Sequence, residues 1–174
     1  MAFQEQSQLW QPTASWRLLK WRSLLLQEIR DFLTSSVYLE VETPSLSQET
    51  VVDANLDPIE AHLKTHRGAD PEVWYLQTSP EFGMKRLLAD LNQSPSTDRP
   101  AGLFQISKAF RNCERGDLHN PEFTMLEWYG FGATYQEQMA FTERLVRRLA
   151  ARVLELEPGV SSMNSRLKMT DSPF

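Results

Sequence analysis

The chain has 174 residues, 41% of them hydrophobic and 24% charged, and its formal net charge is −5. Such a composition is typical of a globular domain large enough to bury a core. The acidic balance argues against a broad nucleic-acid surface, which needs clustered Lys and Arg. A single cysteine excludes an internal disulfide, the longest purely aliphatic run is three residues, and the N-terminus lacks the features of a secretory signal. The sequence therefore predicts a cytoplasmic protein without a membrane span.

Hydrophobic periodicity and turn residues predict an α+β fold with an antiparallel sheet. Apolar residues recur at spacings of three and four in the helical segments, and β-rich runs end at Pro or Gly. The predicted elements, in chain order, are a helix over Ser15–Thr34, a strand over Val37–Val41, a hairpin or loop over Val51–Asp70, a strand over Val73–Gln77, a helix from Pro80 to about Leu91, a loop over Asn92–Gly102, strands over Leu103–Ala109 and Phe123–Tyr129, and a helix from Thr134 to about Glu157.

Capping residues and apolar stripes support the two long helices. Ser15 is the expected N-cap of the first, and Thr134 with Glu137 forms a capping box at the start of the last. We expect the first helix to bury a stripe through Leu18, Trp21, Leu25, Ile29 and Phe32. The last helix is expected to bury a stripe through Met139, Val146, Leu149 and Val153.

Three segments carry candidate chemistry, and each has an ordinary structural alternative. Strand alternation places Glu127 and Tyr129 on one face, where a carboxylate and a phenol can bind an ammonium group, or where Glu127 lies at a solvated edge. The loop that contains Arg111, Arg115 and His119 either holds phosphates or is a solvated turn. The segment Thr78–Phe82, TSPEF, either binds polar groups or only caps a helix.

Taken together, three strings resemble class II aminoacyl-tRNA synthetases of the lysyl type, and most of all the branch of lysyltransferases that modify elongation factor P. The strings are LEVETP, QTSPEFGMKRLL and FRNCERGDLHNPEFTMLEWY, in that order and spacing, and the resemblance runs from Trp10 to about Leu154. It implies a class II catalytic fold, an antiparallel sheet flanked by helices, and a homodimer. The helix that ends near Thr34 and the strand that leads to Pro44 are together similar to motif 1 of that class, and the strand–loop–strand from Phe104 to Tyr129 is similar to motif 2.

The resemblance also implies roles for individual residues. Arg111 falls on the position that contacts the α-phosphate and is the expected catalytic residue. The implied amino-acid-binding residues are Ser79, Pro80, Glu81, Glu127 and Tyr129, and the implied ATP-binding residues are Arg111, Asn112, Cys113, Glu114, His119 and Asn120. No metal site is predicted from the chain's own residues, since His62 and His66 lack a third ligand.

The implied reaction is activation of lysine with ATP and Mg²⁺, followed by transfer to a lysine of elongation factor P. Transfer to tRNA is the less favoured alternative. A second alternative, from a different functional class, is a non-catalytic binding or dimerisation module. The chain departs from the family pattern because Cys113 replaces the motif 2 glutamate and is followed by Glu114, and because Asp117 replaces an arginine.

A motif 3 string is missing from the sequence, so we expect an N-terminal half of the catalytic domain. On this interpretation residues 1–14 and 158–174 are tails and residues 15–157 a partial catalytic domain. The chain by itself is then expected to catalyse no appreciable lysine-dependent ATP–pyrophosphate exchange.

Overall fold

A computed structural model describes residues 12–93, 99–113, 116 and 119–156. The predicted C-terminal tail, most of the N-terminal tail, and Glu114, Arg115 and Asp117 lie outside the described residues. The chain divides into two compact units. One comprises the stretches up to Phe32 and from Thr134 onward, and the other is Leu33–Ala133.

The observed elements follow the predicted order. The helices are α1 (Trp16–Ser35), α2 (Glu81–Gln93) and α3 (Tyr135–Leu156). The strands are β1 (Tyr38–Glu40), β2 (Leu46–Ser47), β3 (Ile59–Leu63), β4 (Glu72–Leu76), β5 (Gly102–Phe110) and β6 (Glu122–Gly130). In the described part of the chain, none of the helices is both long enough and apolar enough to cross a bilayer.

Both predicted helix caps are confirmed. The Ser15 hydroxyl accepts a hydrogen bond from the Leu18 backbone N–H at 3.3 Å. At α3, the Thr134 hydroxyl accepts from the Glu137 N–H at 3.3 Å, and the Glu137 carboxylate accepts from the Thr134 N–H at 2.7 Å. Each cap satisfies donors that the first turn of a helix leaves without intrahelical partners.

The packing of α3 departs from the predicted stripe at two of its four residues, while Leu149 and Val153 are partly buried. Phe141 and Leu145 are buried, and the Phe141 ring lies 5.0 Å from that of Phe32 on α1, whereas Met139 and Val146 are about half exposed. The sequence contains two apolar stripes on this helix, about a quarter-turn apart. Packing selected the one with the large aromatic ring, because burying it removes more apolar area from water. The stripe prediction for α1 was wrong at Leu18, which is 51% exposed.

The second unit contains two three-stranded sheets, with strand orders β1-β5-β6 and β2-β4-β3. Strands β5 and β6 are antiparallel over nine residue pairs, from Gly102 opposite Gly130 to Phe110 opposite Glu122. Strand β1 joins β5 in parallel, which the prediction of an antiparallel sheet did not include. A parallel pair needs a long crossover, and here the chain between β1 and β5 forms the second sheet and α2.

Gly102 lets the first sheet close tightly where β5 begins. A Cβ at this position would lie 2.2 Å from the Tyr129 carbonyl oxygen and 2.4 Å from the Tyr38 ring. Only glycine fits that approach. The neighbouring core residues Leu103 and Phe104 are 2% and 0% exposed, so β5 is the buried central strand that positions β6.

Candidate functional site

The start of α2 presents a serine hydroxyl with two fixed partners. Ser79 is the N-cap: its Oγ accepts from the Glu81 backbone N–H at 3.0 Å, and Pro80 occupies the first helical position, where its missing donor costs nothing. The same hydroxyl donates to Oε2 of Glu127 at 3.0 Å. The cap therefore links α2 to strand β6 as well as closing the helix end.

Glu127 receives a second hydrogen bond, from the Tyr129 hydroxyl to its Oε1. The prediction that strand alternation places both side chains on one face is confirmed. Burial, followed by this hydrogen bond and the charges of Glu127 and Glu81, raises the pKa of Tyr129 well above its usual range. The phenol therefore stays protonated and remains a donor to the carboxylate.

Glu81, in the first turn of α2, completes the group. Its charge contributes to the raised pKa of Tyr129, and its Oε1 forms an ion pair with the Lys85 ammonium. We call Ser79, Glu81, Glu127 and Tyr129 the carboxylate–phenol cluster. Two carboxylates, one of them oriented by two hydroxyl donors, suit a ligand that carries an ammonium group, because charge-assisted hydrogen bonds are about twice as strong as neutral ones.

Two further residues, which the sequence patterns did not indicate, lie beside the cluster. Gln105 lies directly opposite Glu127 in the β5–β6 register and is 3% exposed. Its Oε1 accepts from the backbone N–H of Thr43 at 3.1 Å and from the Thr43 hydroxyl at 2.9 Å. A glutamine alternating with apolar residues in a buried strand was the available signal.

Thr43, the partner of Gln105, also packs against α2. A Cβ placed on Gly83 would meet Cβ of Thr43 at 2.8 Å, so the first turn of α2 lies directly against the threonine side chain. The Gly83 position thus fixes how closely the turn that carries Glu81 approaches β5. The LEVETP string matters here through its threonine, which joins β5 to the helix.

Arg111 follows strand β5 and lies over the ring of Phe123, with its guanidinium carbon 5.2 Å from the ring centroid. Phe123 shares its sheet face with Glu127, four residues further along β6, so Arg111 occupies that face as well. Its Nε donates to the Thr78 carbonyl at 3.3 Å, next to the Ser79 cap. The guanidinium is therefore held beside the carboxylate–phenol cluster.

The other predicted ATP-binding residues lie on the loop between β5 and β6. Asn112 pairs through its backbone with Asp57, and its side chain accepts from the Cys113 N–H at 3.0 Å. Cys113 has a left-handed backbone, with φ of 59°. His119 bonds through its backbone to Gly116, and Asn120 is exposed. These contacts stay within the loop or reach Asp57, so the described contacts do not bring these side chains to the cluster.

The family comparison agrees with this fold. Residues 7–172 match the family described as tRNA synthetases class II (D, K and N), and the chain belongs to that family.

Curated relatives show which members of this family the chain is similar to. The chain is 47% identical over 123 residues to "Elongation factor P--(R)-beta-lysine ligase" of Photobacterium profundum, a match that covers 71% of this chain and 36% of that protein. The proteins of the same name from Vibrio cholerae and Pseudoalteromonas translucida are 43% and 45% identical over 141 and 139 residues. Those two matches cover 79% and 80% of this chain, and 40% of each relative. The chain thus spans well under half the length of the curated relatives it matches.

Proposed function

We propose that this chain supplies the amino-acid-binding part of a ligase that activates a lysine-type amino acid with ATP and transfers it to elongation factor P. The observation that carries the proposal is the pair of hydroxyl bonds, from Ser79 and Tyr129, that orient Glu127 beside Glu81. A site built to accept an ammonium matches the lysine in the names of the relatives. The extent of the catalytic region, residues 15–157, belongs to the same proposal.

The proposed chemistry has two steps. A carboxylate oxygen of the amino acid attacks the α-phosphorus of ATP, and the bond to the leaving pyrophosphate breaks, which gives an aminoacyl-adenylate. A lysine amine of elongation factor P then attacks the carbonyl carbon and loses a proton, and AMP leaves. The cluster would bind the ammonium and orient the carboxylate toward ATP.

Arg111 is the proposed catalytic residue because its guanidinium can meet charge that develops on the α-phosphate. Its position over Phe123 and its bond to Thr78 support this role, since both restrict where the fork can point. Mg²⁺ bound with ATP would neutralise further phosphate charge. We assign neither Glu81 nor Glu127 as a metal ligand, because both are assigned to the ammonium of the amino acid.

Asn112, Cys113, Glu114, His119 and Asn120 complete the proposed ATP-binding set. The proposal also includes a homodimer in the cytoplasm. The half-exposed Leu39 in β1 supports an interface near motif 1, because an apolar side chain there gains by being covered. Sedimentation at micromolar concentration tests the dimer separately from the chemistry.

A chimera tests the function. This chain would replace the matching region of the Vibrio cholerae relative, and the modification of elongation factor P would be followed by intact mass. We expect the mass increase of one lysine-type residue, lost with Arg111→Ala or Glu127→Gln and kept with Arg86→Met, an exposed control. A folded chimera that modifies tRNA instead would favour the synthetase alternative. One that modifies neither acceptor would favour a non-catalytic module.

A further inference from the structure

We propose that Lys85 is an internal counter-ion of the lysine pocket. Its ammonium pairs with the Glu81 carboxylate in the absence of ligand and is displaced when the ligand ammonium binds. The inference rests on the function proposed above and adds a residue that sets the affinity for lysine. Neither the family resemblance nor the capping pattern assigned a role to Lys85.

The contact that supports it is the ion pair between Lys85 Nζ and Glu81 Oε1. The two residues are four apart on α2, which places their side chains on one face of the helix. Lys85 is 52% exposed and Glu81 37% exposed, so solvent and small solutes reach both groups. The Lys85 ammonium thus pairs with the Glu81 carboxylate, which we propose also binds the ammonium of the ligand.

The charges of the cluster explain why such a cation is useful. Glu81 and Glu127 lie close enough that both raise the pKa of Tyr129, and like charges at short range repel. Ser79 and Tyr129 donate to Glu127, whereas Glu81 is paired with Lys85. A ligand ammonium at Glu81 must therefore compete with Lys85. The apparent affinity for the ligand is then the intrinsic affinity multiplied by the fraction of molecules in which Lys85 is not paired with Glu81.

An ordinary helix-stabilising pair is the alternative explanation, and the chain provides a control for it. Glu143 and Arg147 on α3 form an ion pair with the same spacing, 2.7 Å apart, far along the sequence from the cluster. Exposed pairs of this kind contribute only about 0.3–0.5 kcal/mol to stability. Removing either cation should change the melting temperature equally little, whereas only Lys85 should change ligand affinity.

The experiment is a titration of the full chain with L-lysine, followed by NMR. We expect Lys85→Met to bind lysine about two- to fivefold more tightly than wild type, the range that loss of one exposed competing pair allows. Lys85→Arg should bind like wild type because it keeps the charge. Arg86→Met and Arg147→Met should change the dissociation constant by less than about twofold.

A thermodynamic cycle separates this inference from the proposed function. Glu81→Gln should weaken lysine binding, and adding Lys85→Met to it should give no gain, because the competed carboxylate is gone. If Glu81→Gln weakens binding but Lys85→Met leaves it unchanged or weakens it, the counter-ion role is wrong and the pocket stands. If wild type and Glu81→Gln bind lysine equally, or neither binds it, the proposed pocket fails and the counter-ion role fails with it.

Discussion

The carboxylate–phenol cluster and the β5–β6 loop both carry residues that the family resemblance assigns to ligands, yet they are built differently. The cluster joins the start of α2 to β6 through side chains 48 residues apart in sequence. The described part of the loop is held by backbone bonds, between Gly116 and His119 and from Asn112 to Asp57, and its described tip is exposed. A site whose side chains are fixed by tertiary contacts is preorganised for its ligand, and exposed loop side chains are less so.

The largest expected effect on stability comes from adding a side chain at Gly102, where β5 packs closely against β6. Gly102→Ala places a Cβ against the Tyr129 carbonyl, so we expect the free energy of unfolding to fall by about 3 kcal/mol and lysine binding to weaken. The matched loop variant is Gly116→Ala, which has no atom within 4 Å of the added Cβ. It should stay within about 0.5 kcal/mol of wild type in urea unfolding. Equal effects of the two substitutions would contradict the comparison.

Neutralising the central carboxylate should abolish most lysine binding without unfolding the chain. Glu127→Gln keeps the size of the side chain but removes the charge, and we expect a loss of about 10- to 100-fold in affinity, the value of one charged hydrogen bond. The control is Glu122→Gln on the opposite face of β6, where Glu122 pairs with Lys108 at 2.6 Å. Calorimetry that finds both variants equally weakened would place the ligand elsewhere.

A smaller effect on stability is expected from breaking the hydrogen bond between Thr43 and Gln105. Thr43→Val removes the hydroxyl that donates to Gln105 at 2.9 Å in a buried setting, and we expect a loss of about 1 kcal/mol in stability. Thr65→Val is the exposed control, because its hydroxyl contacts the neighbouring His66 ring. Thermal unfolding should separate the two variants. A neutral Thr43→Val would show that the backbone N–H alone holds Gln105.

The raised pKa of Tyr129 gives a pH dependence of modest size. Above about pH 10, tyrosine ionises in the unfolded chain but stays protonated in the fold, so the unfolded state binds fewer protons and stability falls as pH rises. Below that pH this contribution is fully present. Tyr129→Phe should flatten the alkaline decline measured in urea at successive pH values. An unchanged slope would mean that the fold does not raise the pKa of Tyr129.

Much of the fold was predictable from local patterns, because caps and strand alternation act over a few residues. Ser15, the Thr134 box and the shared face of Glu127 and Tyr129 were of this kind. The parallel pairing of β1 with β5 and the choice of Phe141 over Met139 depend on contacts distant in sequence, which local spacing does not encode. The same holds for Gln105, whose partner Thr43 lies 62 residues away.

For the site, the resemblance named residues that the structure brings together at the cluster, and it also named loop residues that remain apart from it. Ser79 shows why pattern alone left two alternatives open. It does cap α2, as the ordinary interpretation requires, and the same hydroxyl also donates to Glu127. A hydroxyl has both a donor and acceptor sites, so one residue serves both purposes.

The most direct test of an ammonium pocket is to locate lysine on the chain. With ¹³C-labelled Glu and Tyr side chains, titration with L-lysine should shift the carboxyl signals of Glu81 and Glu127 and the ring signals of Tyr129. The carboxyl signals of Glu122 and Glu143, which lie outside the cluster, should stay in place. Shifts spread over all glutamates, or none at Glu127 under saturating lysine, would contradict the account.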